Sequence, residues 1–384
     1  MDAIIGFAHR YSTLAKKMAL AETDPRRKQE LFNISSICSN VPEKPAKTFY
    51  EGIQSIWFVQ LVLQIESNGH SVSFGRLDQF LYPLYQNDIN NNILSKESSR
   101  ELLENLWIKL YSITKIRSWS HTRFSAGGPL YQNVTIGGQT PDGKDAVNEL
   151  SYRVLESVSA TRLTQPNLTV RYHHKISDAF LDKCIEVIKL GFGMPAFNND
   201  ENIIPTMLGL GIAPQDAYDF SAVGCVEVAV PGKWGYRCTG MSFLNLMKVL
   251  KIALNKGVDP DTGVKYLESD KELGNFESFE DLFKTWAETV RYFARQTVAI
   301  DTAVDTALEQ LVPDIFCSAL TDDCIGRGKH LKEGGAVYDF ISGLQVGIAN
   351  LGNSLFAMKE LVFDSQEITQ TELKAVLEND FAGK

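Results

Sequence analysis

Several features that mark other classes of protein are missing from this sequence. It has no run of lysine and arginine, and a formal charge of −9 argues against nucleic acid or an anionic membrane as a partner. The strongest apolar stretch, residues 56–65, contains two glutamines and is too short to cross a bilayer. The first residues lack the basic start and long apolar stretch of a secretion signal. We therefore expect a protein that binds neither nucleic acid nor membrane.

Paired cysteines are missing as well. No Cys-x-x-Cys pair and no regular spacing occurs, so we expect no disulfide framework and no bound zinc or iron–sulfur cluster. Scattered cysteines of this kind are typical of a reduced, cytoplasmic protein. They stand at positions 38, 184, 225, 238, 317 and 324.

The composition allows a large core, since 44% of the 384 residues are hydrophobic and 22% are charged. This length suits two or three domains, or one large α/β barrel. We find no internal repeat and no convincing linker, so one interleaved domain is the expectation. Strand and helix patterns alternate in the middle of the chain, which is typical of an α/β layered or barrel fold.

Local patterns predict where the main elements lie. Thr48 and Glu51 form a capping-box pattern before an apolar helix, and Ser278 with Asp281 begins a long amphipathic helix. The predicted helices span residues 2–21, 25–38, 79–88, 96–114, 146–160, 178–190, 202–210 and 242–255, with helical pattern over 336–363 broken near 352. The predicted strands span residues 133–136 and 168–172.

The most informative segment is Gly224-Cys225-Val226-Glu227, which places a thiol and a carboxylate two residues apart. If the segment is extended, both side chains share one face about 6.6 Å apart and can act on one small molecule. We expect them to point into an enclosed cavity. The alternatives are that Cys225 is a small buried apolar residue, and that Glu227 faces solvent or pairs with Lys233 or Arg237.

This loop, GCVEVAVPGK, resembles the active-site loop of the glycyl radical enzymes, the family of pyruvate formate-lyase and the radical diol dehydratases. The resemblance covers most of the chain and favours the glycerol and diol dehydratase branch. It implies an α/β fold that is part of a ten-stranded barrel surrounded by helices, with residues 1–384 as the central portion of the barrel domain. Three further segments resemble the family in the same order: SNGHSVSFGRLDQFLYPLY (67–85), NVTIGGQTPDGKDAVNELSY (133–152) and MPAFNNDE (194–201).

The resemblance also implies roles for individual residues. Cys225 would become a thiyl radical that removes a hydrogen atom from a substrate carbon, and Glu227 would deprotonate the adjacent hydroxyl. His70 and Ser71 would contact substrate hydroxyls. The substrate would be a small hydroxylated molecule, and no cofactor or metal would be bound by this chain. A separate activating enzyme with S-adenosylmethionine and an iron–sulfur cluster would install the radical anaerobically, and the enzyme would be a homodimer.

The chain departs from the family in three places. Position 224 is glycine, where acyl-transferring members carry a second cysteine. Residues 228–258 contain no Asp or Glu, where glycerol- and choline-type members have a further polar or acidic group. The Arg-Val-x-Gly motif that stores the radical does not occur. We therefore expect a fragment that lacks the C-terminal glycine radical domain and is inactive unless another chain supplies the glycine loop.

Three other functions remain open from the sequence. The first is a formate C-acetyltransferase-type acyl lyase. The second is a cysteine hydrolase that uses Cys225 with His70 or His173, which needs a base within hydrogen-bond reach of the sulfur. The third is a non-catalytic truncated scaffold that dimerises or occupies the activating enzyme.

Overall fold

The computed structural model describes residues 1–384 except 68, 70, 117, 125–129, 226, 236–242, 341–342 and 383–384, and it leaves out the side chains at 121 and 124. Described residues form two compact units. The first comprises Met1–Gly235 and Asp314–Tyr338, and the second comprises Tyr236–Pro313 and Asp339–Lys384. No helix in the described part of the chain has both the length and the apolar character needed to cross a lipid bilayer.

Helices and strands alternate in the middle of the chain, from residue 133 to residue 209, as expected. The helices are α1 (Asp2–Ala21), α2 (Pro25–Asn40), α3 (Phe49–Glu66), α4 (Leu77–Phe80), α5 (Tyr82–Asn90), α6 (Lys96–Tyr111), α7 (Trp119–Phe124), α8 (Glu149–Thr161), α9 (Asp178–Ile188), α10 (Asp200–Gly209), α11 (Pro214–Tyr218), α12 (Leu246–Ala253), α13 (Phe279–Leu311), α14 (Ile315–Ala319), α15 (Cys324–Arg327), α16 (Ile348–Met358) and α17 (Gln370–Glu378). The strands are β1 (Asn133–Gly137), β2 (Asn167–Tyr172), β3 (Ala196–Asn199), β4 (Ser221–Val223), β5 (Glu227–Ala229), β6 (Phe243–Asn245) and β7 (Leu344–Val346).

A parallel sheet of β1, β2 and β3 forms the centre of the first unit. Helix α8 connects β1 to β2 and α9 connects β2 to β3, which is the crossover that parallel neighbours require. Residues 74–76 run beside β1, since Phe74 N donates to Asn133 O (2.9 Å) and Thr135 N donates to Gly75 O (3.0 Å). The sheet therefore places residues 71–76 next to the start of β1.

The core of the first unit packs helices against this sheet. All five residues of β1 are buried, which agrees with a strand of a parallel sheet that is covered on both faces. Burial of this apolar surface is the main stabilising contribution, at roughly 25 cal/mol per Å². Helix α8 begins at Glu149, three residues later than predicted, because the Asn148 side chain caps it in a capping box with Ser151. The buried side chains on the strands and facing helices include Val134, Ile136, Leu150, Val154, Leu168, Val170 and Phe180.

The second unit differs from the sequence prediction in two places. Strands β6 and β7 pair in parallel within regions predicted to be helical, because three-residue strands are too short to show a period of two. Helix α16 continues through Gly352, where a break was predicted, since Leu351 and Leu355 are buried on one face of this helix. That packing outweighs the cost of about 1 kcal/mol for a mid-helix glycine. The long helix α13 begins as predicted, with Ser278 Oγ accepting from Asp281 N.

Two buried guanidinium groups hold the segment that leads into β4. Arg171 forms a bidentate pair with Asp200, at 2.8 and 2.9 Å, and neither side chain reaches solvent. Arg171 also donates to the carbonyls of Tyr218 and Phe220, at 2.8 and 3.0 Å. Arg76 donates to the same Tyr218 carbonyl, at 3.2 Å. The carbonyls ahead of β4 are thus tied to charges inside the first unit.

We predict that Arg171→Met lowers the free energy of unfolding by about 3–5 kcal/mol, because it leaves the Asp200 carboxylate buried without its partner. Adding Asp200→Asn should recover part of this loss, since the stranded charge is then removed. Urea unfolding followed by circular dichroism measures both. Arg27→Met is the matched control, since Arg27 pairs with Glu30 at the surface, and should cost less than about 1 kcal/mol. Equal losses at positions 171 and 27 would contradict a structural role for the buried pair.

Candidate active site

Cys225 lies at the tip of a tight β-hairpin. Strands β4 and β5 are antiparallel, and Val223 pairs with Glu227, so three residues connect the two strands. Gly224 has a φ of +61°, a left-handed conformation that glycine adopts without strain. Residues 224 and 225 form a turn and the strand resumes at Glu227, so the segment is not extended throughout.

Ser71 and Glu227 both lie against Gly224. A methyl group built on Gly224 would stand 2.6 Å from Ser71 Oγ and 3.0 Å from Glu227 Oε2. The first distance is shorter than Cβ contacts in proteins and the second is at their tight limit. Because the backbone is also left-handed, a side chain at position 224 would be strained, and glycine accommodates the serine hydroxyl and the carboxylate. Two of the residues expected to act together, Ser71 and Glu227, are therefore brought together around the backbone of the residue before Cys225. His70 lies outside the described residues.

Two residues that the sequence analysis did not single out hold the hairpin tip in place. Ser73 Oγ accepts from Gly224 N (3.1 Å) and from Asn133 N (3.0 Å). Asn133 Nδ2 donates to Gly224 O (3.2 Å). Position 73 follows Ser71 at a spacing of two within the block 67–85, and Asn133 begins the block 133–152. Membership of those blocks was the only signal for either residue.

Tyr131 is a third residue that sequence reasoning missed. It is half-buried and has a left-handed φ of +50°. Burial raises the pKa of its phenol, and the negative charges that Cys225 and Glu227 can carry raise it further. The phenol therefore lies close enough to both groups to feel their charge. An isolated tyrosine in a glycine-rich segment gives no sequence signal for such a position.

The Cys225 thiol holds its proton tightly. Loss of hydration raises its pKa to about 11, with a further contribution from the Glu227 carboxylate. The side chain nevertheless reaches the surface and is exposed, while Glu227 is half-buried. The exposed Cys225 side chain contradicts the enclosed cavity that the sequence predicts. At neutral pH this arrangement presents a neutral S–H beside a carboxylate.

Other candidate partners of the pair are engaged elsewhere. Lys233 forms an ion pair with Asp216 at 2.7 Å, and Asp216 also accepts from Tyr338 OH at 2.7 Å. His173 is buried, with Nε2 at 3.4 Å from Asp145 Oδ1. Arg237 lies outside the described residues. Among the described residues, no three or more His, Cys, Asp and Glu side chains are grouped so that they could hold a metal ion.

Comparison with known proteins gives the family. The family model described as pyruvate formate lyase-like matches residues 1–384. The chain therefore belongs to the pyruvate formate lyase-like family. It is 54% identical to the "Probable dehydratase YbiW" of Escherichia coli strain K12, over 99% of this chain and 48% of that protein.

Solved structures agree with the expected fold class. The glycerol-bound B12-independent glycerol dehydratase of Clostridium butyricum matches with a TM-score of 0.90 and 40% identity, over 99% of this chain and 48% of that one. Hydroxyproline dehydratase of Clostridioides difficile, with trans-4-hydroxy-L-proline bound, matches with a TM-score of 0.93 and 32% identity, over 100% and 48%. The chain has the fold of part of the α/β barrel of glycyl radical enzymes, and it spans about half the length of these relatives.

We predict that Cys225 reacts with iodoacetamide with a pH midpoint near 11, because the thiol ionises only at high pH. Glu227→Gln should lower this midpoint, since the variant removes a negative charge beside the sulfur. Mass spectrometry of the tryptic peptide 190–233, in which Cys225 is the one cysteine, gives the rate. Cys225 reacting at neutral pH like a free thiol, with a midpoint near 8.5, would contradict this assignment.

Proposed function

We propose that this chain carries the thiyl site of a glycyl radical lyase of the dehydratase type. Cys225 transfers the hydrogen atom, Glu227 transfers the proton, and the substrate is a small molecule with adjacent hydroxyl and leaving groups. The observation that carries the proposal is that the Ser71 hydroxyl and the Glu227 carboxylate both lie against Gly224, the residue before Cys225. The charges of Cys225 and Glu227 also raise the pKa of the Tyr131 phenol. The dehydratase relatives support the same reaction class.

For a diol, the proposed dehydration proceeds in four steps. The Cys225 thiyl radical takes a hydrogen atom from the carbon that bears one hydroxyl, which gives a thiol and a carbon radical. Glu227 removes the proton of that hydroxyl, whose acidity the radical has increased. The resulting ketyl radical anion expels the neighbouring hydroxide, which leaves as water with that proton. The remaining radical takes the hydrogen atom back from Cys225, so the products are a carbonyl compound and water.

The raised pKa of Cys225 supports this reaction over a cysteine hydrolase. A nucleophilic cysteine needs a lowered pKa, because the thiolate attacks. Hydrogen-atom return to a substrate radical needs the neutral thiol instead, and a pKa of about 11 keeps it neutral at pH 7. His173, one of the two bases considered for a hydrolase, is buried beside Asp145.

The packing at Gly224 argues against the acyl-transfer reaction. A second cysteine at position 224 would need a Cβ atom 2.6 Å from Ser71 Oγ, in a backbone conformation that side chains rarely adopt. The hairpin tip is therefore built around one thiol. This favours a lyase that needs only hydrogen-atom and proton transfer over one that holds an acyl group on a second sulfur.

Ser71 and Tyr131 are proposed to orient substrate hydroxyls at the same tip. Their side chains lie near Glu227 and can donate or accept hydrogen bonds. His70, which precedes Ser71, is proposed to contribute to the same contacts. Positioning of this kind can supply a large share of the rate when bound substrate is held near its reactive geometry.

The radical is proposed to come from outside residues 1–384. No Arg-Val-x-Gly sequence occurs among them. A glycine loop on a further segment or chain would store the radical, and a separate S-adenosylmethionine and iron–sulfur activating enzyme would install it. We further propose a cytoplasmic homodimer that binds no nucleic acid and no membrane. The net charge of −9 and the scattered cysteines support the cytoplasmic location and the lack of nucleic-acid or membrane binding.

Electron paramagnetic resonance tests the source of the radical. The chain, treated anaerobically with an activating enzyme and S-adenosylmethionine, should show no glycyl doublet by itself. The doublet should appear when a chain that carries the glycine loop is added. A doublet on the isolated chain would refute the proposed division of roles.

Product analysis tests the two catalytic residues in the reconstituted complex. Cys225→Ala should abolish carbonyl formation from glycerol, propane-1,2-diol or trans-4-hydroxy-L-proline, and Glu227→Gln should lower kcat by about 10²–10⁴-fold. The glycyl doublet should persist in both, which shows that activation itself is intact. Cys317→Ala is the matched control and should keep wild-type turnover. Turnover by the Cys225 variant would overturn the proposal.

A further inference from the structure

We propose that Ser73 and Asn133 are positioning residues that clamp Gly224 at its N–H and its carbonyl and thereby set the distance between the Cys225 sulfur and the Glu227 carboxylate. This inference rests on the proposed function, because that function assigns the hydrogen-atom and proton transfers to these two groups. It adds two residues that act on the pair through the backbone.

The Ser73 hydroxyl uses its full hydrogen-bonding capacity at this place. A serine hydroxyl can donate one hydrogen bond and accept two. Ser73 Oγ donates to Ser71 O at 3.0 Å, and it accepts from Asn133 N at 3.0 Å and Gly224 N at 3.1 Å. One side chain therefore joins the Ser71 segment, the start of β1 and the hairpin tip. With three bonds made, the hydroxyl has a single orientation.

Asn133 holds the other side of the same glycine. Its Nδ2 donates to Gly224 O at 3.2 Å, and this oxygen belongs to the peptide bond between Gly224 and Cys225. Asn133 is 1% exposed and begins β1, where it pairs with Asn167 in the parallel sheet. Gly224 is thus held at its N–H by Ser73 and at its carbonyl by Asn133, and both anchors are attached to the central sheet.

The conformation of Gly224 affects the position of the Cys225 sulfur more than it affects the position of the Glu227 carboxylate. Glu227 is fixed by its pairing with Val223 in the hairpin. Cys225 has no strand partner, and the preceding glycine has the least restricted backbone of any residue. Without the clamp, rotation about Gly224 would swing Cys225 while Glu227 stayed in place. The two hydrogen bonds remove that freedom.

The chemistry explains why the separation matters. The proposed reaction takes a hydrogen atom from carbon and a proton from the hydroxyl on the same carbon, so both protein groups must reach neighbouring atoms at once. Reactive geometry requires approach to about 3–3.5 Å, and a shift of 1 Å can cost about 10²-fold in rate. A clamp on the turn meets this requirement without contacting the substrate.

The test measures the coupling between Cys225 and Glu227 in the chain itself. Iodoacetamide alkylation of Cys225 at pH 8 is followed on peptide 190–233 in wild type, Ser73→Ala, Ser73→Thr and Asn133→Leu, each with and without Glu227→Gln. In wild type, Glu227→Gln should speed alkylation about fivefold, the effect of one nearby charge. In the Ser73→Ala and Asn133→Leu backgrounds, Glu227→Gln should change the alkylation rate less than about twofold. The reason is that Cys225 has moved away from its wild-type position relative to Glu227.

Two controls separate positioning from general destabilisation. Ser73→Thr keeps the hydroxyl and should retain the wild-type coupling. Ser99→Ala removes a buried hydroxyl that donates to Lys96 O in α6, and it should leave the coupling unchanged. A fivefold effect of Glu227→Gln in folded Ser73→Ala or folded Asn133→Leu would overturn the proposal. Circular dichroism shows whether each variant is folded. If one of Ser73→Ala and Asn133→Leu unfolds, the other is enough to test the proposal.

Turnover in the reconstituted complex separates this inference from the proposed function. Ser73→Ala should lower kcat by about 10²-fold with KM nearly unchanged, because it misplaces the reacting groups without removing a substrate contact. Absence of product from wild type, with coupling lost in Ser73→Ala, would refute the reaction and leave the clamp standing. Wild-type kcat in Ser73→Ala would refute the clamp and leave the reaction standing.

Discussion

The site depends on the attachment of a short hairpin to the edge of a parallel sheet. Ala222 N donates to Thr135 Oγ1 at 3.0 Å, and Gly224 N donates to Ser73 Oγ at 3.1 Å. These bonds join β4 to residues on and beside β1. Since β1 is buried along its whole length, the hairpin is attached to a part of the first unit that is covered by protein. This attachment sets the positions of the Cys225 thiol and the Glu227 carboxylate.

Buried charged side chains also hold the segment that leads into this hairpin. Arg171 and Arg76 bind the carbonyls of residues 218 and 220, immediately before β4. Arg171 lies with its guanidinium 3.8 Å from the centre of the Phe220 ring, which adds a cation–π contact. A buried arginine is costly unless it is paired, and Asp200 provides the pairing. A buried ion pair inside the unit thus helps to position a three-residue turn at its surface.

The chemistry of the tip follows from a balance between hydration and charge. Partial loss of hydration and the neighbouring Glu227 both favour the neutral thiol. The same pair of groups acts on Tyr131, whose phenol is also kept neutral. A cluster of neutral hydrogen donors around one carboxylate suits a reaction in which the base moves protons and the sulfur moves hydrogen atoms. It suits a nucleophilic thiolate poorly.

Residues 1–384 determined by themselves most helices and the two longer parallel strands, because period, caps and turn residues act over a few positions. The start of α13 at Ser278 and the cap of α3 at Thr48 are examples. Strands β6 and β7 and the unbroken helix α16 were decided by tertiary packing, since three residues carry no period and burial outweighed the glycine. Only the tertiary structure could bring Ser71, Ser73 and Asn133 to Gly224, because these contacts join positions that lie about 90 to 150 residues apart in sequence. Hydrogen bonds between distant segments follow from the register of the sheet, and no local pattern encodes that register.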